Sequence, residues 1–80
     1  MLKVRWMDNG DVLEGSSWEE VVDAMRLSVR LEPDPDVKTY MAAVKRRVKE
    51  WNKSVVRDDN CKNFIIDLAR CGFIEILEGE

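Results

Sequence analysis

Pro35-Asp36-Val37-Lys38-Thr39-Tyr40-Met41-Ala42-Ala43-Val44-Lys45-Arg46-Arg47-Val48-Lys49-Glu50-Trp51-Asn52-Lys53 is the stretch from which the rest of the chain can be read. Val37, Tyr40, Met41, Val44, Val48 and Trp51 recur at three- and four-residue spacing. At about 100° per residue they fall within an arc of roughly 100°. That spacing predicts the longest helix of the chain, with a stripe turned to the core. The opposite side carries Lys38, Lys45, Arg46, Arg47, Lys49 and Lys53 against one acid, Glu50.

Upstream, Glu32-Pro33-Asp34-Pro35 reads as a tight break between helices, because each proline disfavours helix at the residue before it. Pro35 suits a first helical turn, with Asp34 as its N-cap. Earlier still, Ser17-Trp18-Glu19-Glu20 is a capping box. It opens a helix that runs to about Leu31, with Trp18, Val21, Val22, Met25 and Val29 on its apolar stripe. Leu27 falls off that stripe and needs a contact of its own. Downstream, Val55 and Val56 are expected to pin a connector to the core. Asp58 or Asp59 then caps a third helix whose Cys61, Phe64, Ile65 and Leu68 face inward. Gly72 is placed to close it in the left-handed conformation.

The flanks read as strands. Leu2, Val4 and Trp6 alternate with Lys3, Arg5 and Met7. Asn9-Gly10 suits a type I′ hairpin turn, which would pair Met7 with Val12, Trp6 with Leu13, and Arg5 with Glu14. Phe73 to Glu78 reads as a last strand with Ile74 and Ile76 inward. The order β-β-α-α-α-β predicts a two-layer α+β fold over residues 1–80, a single domain. A three-stranded sheet turns Val4, Trp6, Leu13, Ile74 and Ile76 towards three helices.

Composition narrows the function. A chain of 80 residues buries only roughly 60% of its unfolded surface, close to the lower limit for standing alone. No run of 18 apolar residues occurs, so no membrane span is expected. The opening Met1-Leu2-Lys3-Val4-Arg5-Trp6 alternates like a strand and lacks the charged-then-apolar order of a secretion signal. A cytoplasmic protein is expected. Cys61 and Cys71, ten residues apart on one helix, would stand about 15 Å apart along its axis, too far to bridge. They read as small buried apolar residues. Histidine is absent, which removes Ser-His-Asp and Cys-His catalysis and imidazole ligation of zinc. Two thiols are too few for a thiolate-only zinc site. There is no glycine-rich phosphate loop. No enzyme, cofactor, metal or small-molecule substrate is expected.

Two surfaces remain as candidates. Residues 37–57 hold seven basic side chains and one acid within a chain of net charge −3. Lys38, Lys45, Arg46, Lys49 and Lys53 share an arc of roughly 100° that suits a polyanion such as nucleic acid. The same polarity, acids at the start and bases towards the end, recurs on all three helices, as the helix macrodipole favours. Tyr40 and Trp51 fall on the inward stripe, so no aromatic stands among the lysines to stack on a base. The third helix followed by a strand suggests a winged helix-turn-helix, but two strands precede all the helices and the candidate reading helix opens on two acids. Between Asp8 and Asp36 lie nine acids and two bases, without the alternating ligand spacing of a calcium loop. Turns and caps account for them. The second surface is the outer sheet face, where Met7, Val12, Phe73 and Leu77 would form an exposed apolar cluster fit for a protein partner or a second copy.

Lys3-Val4-Arg5-Trp6, Asn9-Gly10, Ser17-Trp18-Glu19-Glu20-Val21-Val22 and the run Phe64 to Ile76 together resemble small uncharacterised proteins encoded by phages and prophages. That resemblance implies a mobile-element origin, and hence the cytoplasm of a phage host. It carries no known activity or site. The expectation is a small non-enzymatic interaction module, binding another protein or itself. The alternative is a sequence-nonspecific nucleic-acid binder using the basic helix, residues 37–53.

Overall fold

The computed structural model describes residues 1–8, 10–28 and 34–79. Along the chain run β1 (Leu2–Trp6), β2 (Val12–Gly15), α1 (Trp18–Leu27), α2 (Val37–Asn52), α3 (Cys61–Arg70) and β3 (Ile74–Glu78). The order is β-β-α-α-α-β, and the three antiparallel strands form an open sheet in the order β2-β1-β3. This is an α+β fold. The first helix, expected to run to about Leu31, ends at Leu27 with Ser28 as its C-cap; the backbone of Asn9, residues 29–31 and the break at Glu32-Pro33 lie outside the described residues.

The hairpin register differs from the one a two-residue turn would set. Arg5 stands opposite Val12, Val4 opposite Leu13 and Lys3 opposite Glu14. The pairing has slid by two residues. Trp6 N–H donates to Asp11 O (2.9 Å) and Gly10 N–H to Trp6 O (2.9 Å), which closes a wider loop. Gly10 sits at φ 78°, where other residues are strained. Because side chains alternate with period two, a two-residue slip leaves every residue on its expected face.

The inner face meets the helices. Val4 is fully buried, with Leu2, Ile74, Val21, Val22, Met25, Phe64, Ile65 and Leu68 around it. Trp6 and Leu13 pack at the margin. Ile76, opposite Val4 and so on the same face, is on an edge strand and remains 37% exposed. Gly15 lets β2 run directly into α1. A Cβ there would stand 2.7 Å from the Glu20 Cβ and 3.1 Å from the Val21 nitrogen.

Capping fixes the helix starts. Ser17 Oγ accepts from Glu20 N–H, while the Glu20 carboxylate reaches past the cap to Ser16 N–H (3.3 Å) and Ser16 Oγ. These bonds hold the Glu20 carboxyl below its usual pKa. α2 is capped by Asp36, whose Oδ1 accepts from Thr39 N–H at 2.7 Å. Asp34 is therefore not the cap, and Pro35 stands ahead of the helix. α3 is capped by Asn60, which accepts from Asn63 N–H at 2.8 Å. Asp58 is engaged by Lys45, and Asp59 by the Asn63 side-chain amide, so neither aspartate serves as cap.

The end of α3 is a full Schellman motif. Phe73 N–H donates to Leu68 O and Gly72 N–H to Ala69 O, both at 3.1 Å, with Gly72 at φ 84°. The connector after α2 keeps Val56 fully buried but leaves Val55 72% exposed. Extended backbone sends successive side chains to opposite sides, so only one of the two reaches the core. Leu27, off the α1 stripe, stays exposed.

α2 departs most from expectation. Tyr40, Met41 and Val48 are buried, and Tyr40 meets Phe64 edge-on with ring centroids 6.4 Å apart. Val37 and Val44 are half-buried. Trp51, on the same stripe, is 74% exposed. The 16 residues of α2 span about 24 Å, whereas α1 and α3, with ten each, span about 15 Å. Trp51 lies in the last turn of α2, a helix six residues longer than either of the others, and that turn holds it in solvent.

Candidate functional site

The outer sheet face does not assemble the expected apolar cluster. β1 runs between the two edge strands and presents Lys3 and Arg5 outward. Lys3 Nζ lies 3.7 Å from Glu14, and Arg5 Nη2 lies 2.8 Å from Glu75. Val12 on β2 and Leu77 on β3 are about half exposed. They are two strand spacings apart, roughly 10 Å, with that charged ladder between them. Phe73 leaves this face altogether. As the residue after Gly72 in the Schellman motif it packs against the core beside Leu68. Met7, 51% exposed, sits at the hairpin end.

Met7 and Phe73 instead meet on another surface. Between the hairpin end, the start of β3, the end of α1 and one side of α2 lies an open groove of about 880 Å³. Met25, Val48 and Leu68 contribute from the core, Trp6, Phe73, Tyr40 and Val44 line it, and Trp51 stands at its lip. Asp8, Asp11 and Asp34 belong to its margin, with Arg47 as its one base among the described residues. Burial pushes the Tyr40 phenol up to about 12; the Asp34 charge adds to the rise and the Arg47 charge opposes it. At neutral pH Tyr40 is a neutral hydroxyl within an apolar surface.

The basic face of α2 is a separate surface. Lys38, Arg46, Lys49 and Lys53 are exposed. Lys45 is half-buried and paired with Asp58 at 3.2 Å, which ties it to the start of α3. Lys53 caps the helix in the left-handed conformation (φ 54°), its N–H donating to Lys49 O. Although Trp51 is exposed, it does not stand among these cations. At about 100° per residue it projects some 140–160° away from Lys38, Arg46, Lys49 and Lys53.

A third concavity, of about 730 Å³, lies where α1 faces the starts of α2 and α3. Among the described residues, four of its five acids, all but Glu19, are engaged in structure. Asp36 caps α2, Asp23 binds Arg26 at 2.7 Å, Asp58 holds Lys45 and Asp59 holds Asn63. Cys61 borders it as a free thiol, pushed up in pKa by burial and by the nearby Glu19 charge. That is the reverse of a thiolate poised for reaction.

One buried group was not anticipated. Asp67 is 7% exposed and accepts from Arg57 at three positions. The signal was present, since Asp67 is three residues on from Phe64 and so interrupts the inward stripe of α3.

Compared with models of known families, with curated proteins and with solved structures, the chain matches none of them.

Proposed function

We propose that this chain is a small non-enzymatic protein-interaction module whose groove between the hairpin end and α2 receives an apolar segment of its partner. The observation that carries the reading is Trp51, 74% exposed at the lip of an aromatic groove. Tryptophan is the residue most often found as an energetic anchor at interfaces, and here it is held out on a regular helix. Folding the chain gains nothing from leaving it in water, and a partner that covers it gains its burial. The free thiols of Cys61 and Cys71 suit a reducing compartment, which supports the cytoplasm, including that of a phage host, as the place of action.

Site-specific photocrosslinking in cells tests this. A crosslinker at Trp51 or Val44 should capture protein, whereas one at Lys49, on the far side of the helix, should not. Equal capture from both faces, or none from Trp51, would refute the groove as the interface.

A second reading has its own observation. Lys38, Arg46, Lys49 and Lys53 form an exposed cationic face clear of the core. It supports sequence-nonspecific contact with the phosphates of nucleic acid. The balance favours the groove, because the basic face carries no stacking aromatic and Lys45 is engaged by Asp58.

A further inference from the structure

The charge around the groove is one-sided. Asp8 and Asp11 at the hairpin end and Asp34 ahead of α2 border it, against Arg47 as the one base among the described residues. Among those residues neither the Asp8 nor the Asp34 carboxylate has an ion-pair or hydrogen-bond partner. Arg26 donates to the Asp34 backbone carbonyl at 2.8 Å, while its charge is held by Asp23 at 2.7 Å. The Asp34 charge is felt at the Tyr40 phenol, in the groove wall. An apolar hollow is thus rimmed by carboxylates that folding leaves unneutralised.

That sign selects the occupant. Nucleic-acid phosphates, anionic lipid headgroups and acidic proteins all meet repulsion at the rim, and a second copy sets acids against acids. A segment with apolar side chains on one face and lysine or arginine beside them fills the hollow and pairs with the rim. The length suits a helix. Along α2 the groove runs from Tyr40 to Trp51, about 16 Å or three helical turns. Laying the apolar face of a helix into such a groove is a recurring mode of peptide recognition. We infer that the groove receives a cationic amphipathic helix of a partner protein, its apolar face against Tyr40, Val44 and Trp51 and its basic side chains at Asp8 and Asp34. This rests on the groove being an interface and names the chemistry of what it binds.

Three synthetic peptides of about 14 residues, enough to span the groove, test the assignment. One is an amphipathic helix of leucine and lysine. The second keeps the leucine face and replaces lysine by glutamate. The third keeps the lysines and replaces leucine by serine. Binding of each, fluorescently labelled, to the full chain is read by anisotropy at about 150 mM salt. The leucine–lysine helix should bind at least about tenfold more tightly than either of the others. Trp51→Ala should weaken it at least about tenfold. Asp8→Lys combined with Asp34→Lys should reverse the order, so that the leucine–glutamate helix binds the more tightly. Glu19→Lys combined with Glu78→Lys makes the same change in net charge at exposed positions outside the groove, and should keep the parent's order. Far-UV spectra matching the parent's establish that each variant is folded. Equal binding of the two leucine helices, both weakened by Trp51→Ala, would overturn the cationic partner and leave the groove as an interface. Serine–lysine binding as tight as leucine–lysine, or an order that the Asp8 and Asp34 changes do not reverse, would overturn it too. No binding of either leucine helix, or binding indifferent to Trp51→Ala, removes the groove reading as well.

Discussion

Arg57 holds Asp67 at three points: its backbone N–H and Nε–H both reach Oδ2 at 2.9 Å, and Nη2 reaches Oδ1 at 3.1 Å. One residue of the connector thereby fastens the chain after α2 to the buried side of α3. Arg57 itself is about half exposed and Asp67 is nearly buried, so the carboxylate has few other sources of hydrogen bonds. Asp67→Asn is expected to cost about 1–3 kcal/mol in chemical denaturation at neutral pH. The same substitution at Asp59, on the exposed start of α3, should cost much less.

The pair also sets an acid limit. The Arg57 guanidinium and backbone N–H hold the Asp67 carboxyl down to about 2. A depressed folded-state pKa gives stability that is fully present above the unfolded value, near 4, and lost as pH falls towards 2. At most about 2 kcal/mol is involved. Urea melts at pH 6, 4, 3 and 2 should show the parent losing stability over the lower steps. Asp67→Asn should have a flatter profile over that window.

Gly15 is a steric requirement rather than a flexible joint. A methyl group there meets Glu20 and the Val21 backbone, so Gly15→Ala must push β2 off the first turn of α1. The expected loss is about 1–3 kcal/mol, read from the midpoint of thermal or denaturant unfolding. Gly10→Ala, which meets no atom within 4 Å, should cost only the strain of a positive φ.

Phe64 and Trp51 divide stability from recognition. Phe64 is fully buried against Tyr40, and Phe64→Ala should destabilise by about 3–5 kcal/mol. Trp51→Ser should change the stability of the isolated protomer by less than about 0.5 kcal/mol. Both are measurable by denaturation at low micromolar concentration. A large loss on Trp51→Ser under those conditions would mean that the side chain supports the fold of the single chain.

The cationic face makes a separate prediction. If it meets nucleic acid, a gel shift at about 50 mM salt should disappear when Lys38, Arg46, Lys49 and Lys53 are changed to Glu, and should weaken steeply as salt rises. Trp51→Ala should leave it unchanged. Lys45→Glu is the wrong probe, because it also sets a like charge against Asp58.

Period and capping chemistry carried most of the architecture. Alternation in Leu2 to Met7, the Ser17 cap and the left-handed Gly72 each have a local cause, and each stands as read; the Glu20 carboxylate of the box bonds Ser16 instead of the cap. The failures lie where a local rule met a competitor. Asp34, Asp58 and Asp59 are all good caps, and only the packed helix positions select Asp36 and Asn60. Trp51 fits the apolar stripe of α2 by periodicity, but periodicity does not say where the neighbouring helices stop. That misplacement hid the groove. Phe73 alternates correctly for a strand, yet the Schellman closure claims it first. The outer-face cluster failed for that reason, and because Lys3 and Arg5 of the middle strand divide Val12 from Leu77.

The hairpin and the last strand also bear on the order of events during synthesis. β1 pairs on its second side with β3, and Arg5 reaches Glu75 across 70 positions of sequence. When the hairpin first emerges from the ribosome, its two compatible registers differ only by two residues. The bonds that set the observed one, Trp6 N–H to Asp11 O and Gly10 N–H to Trp6 O, lie within the hairpin, whereas those on the other edge of β1, Met7 N–H to Phe73 O and Arg5 to Glu75, do not yet exist. Closing so long a loop is the slow step that topology imposes. The middle strand of the sheet therefore waits half-paired, its second edge open, until residue 78 has been made.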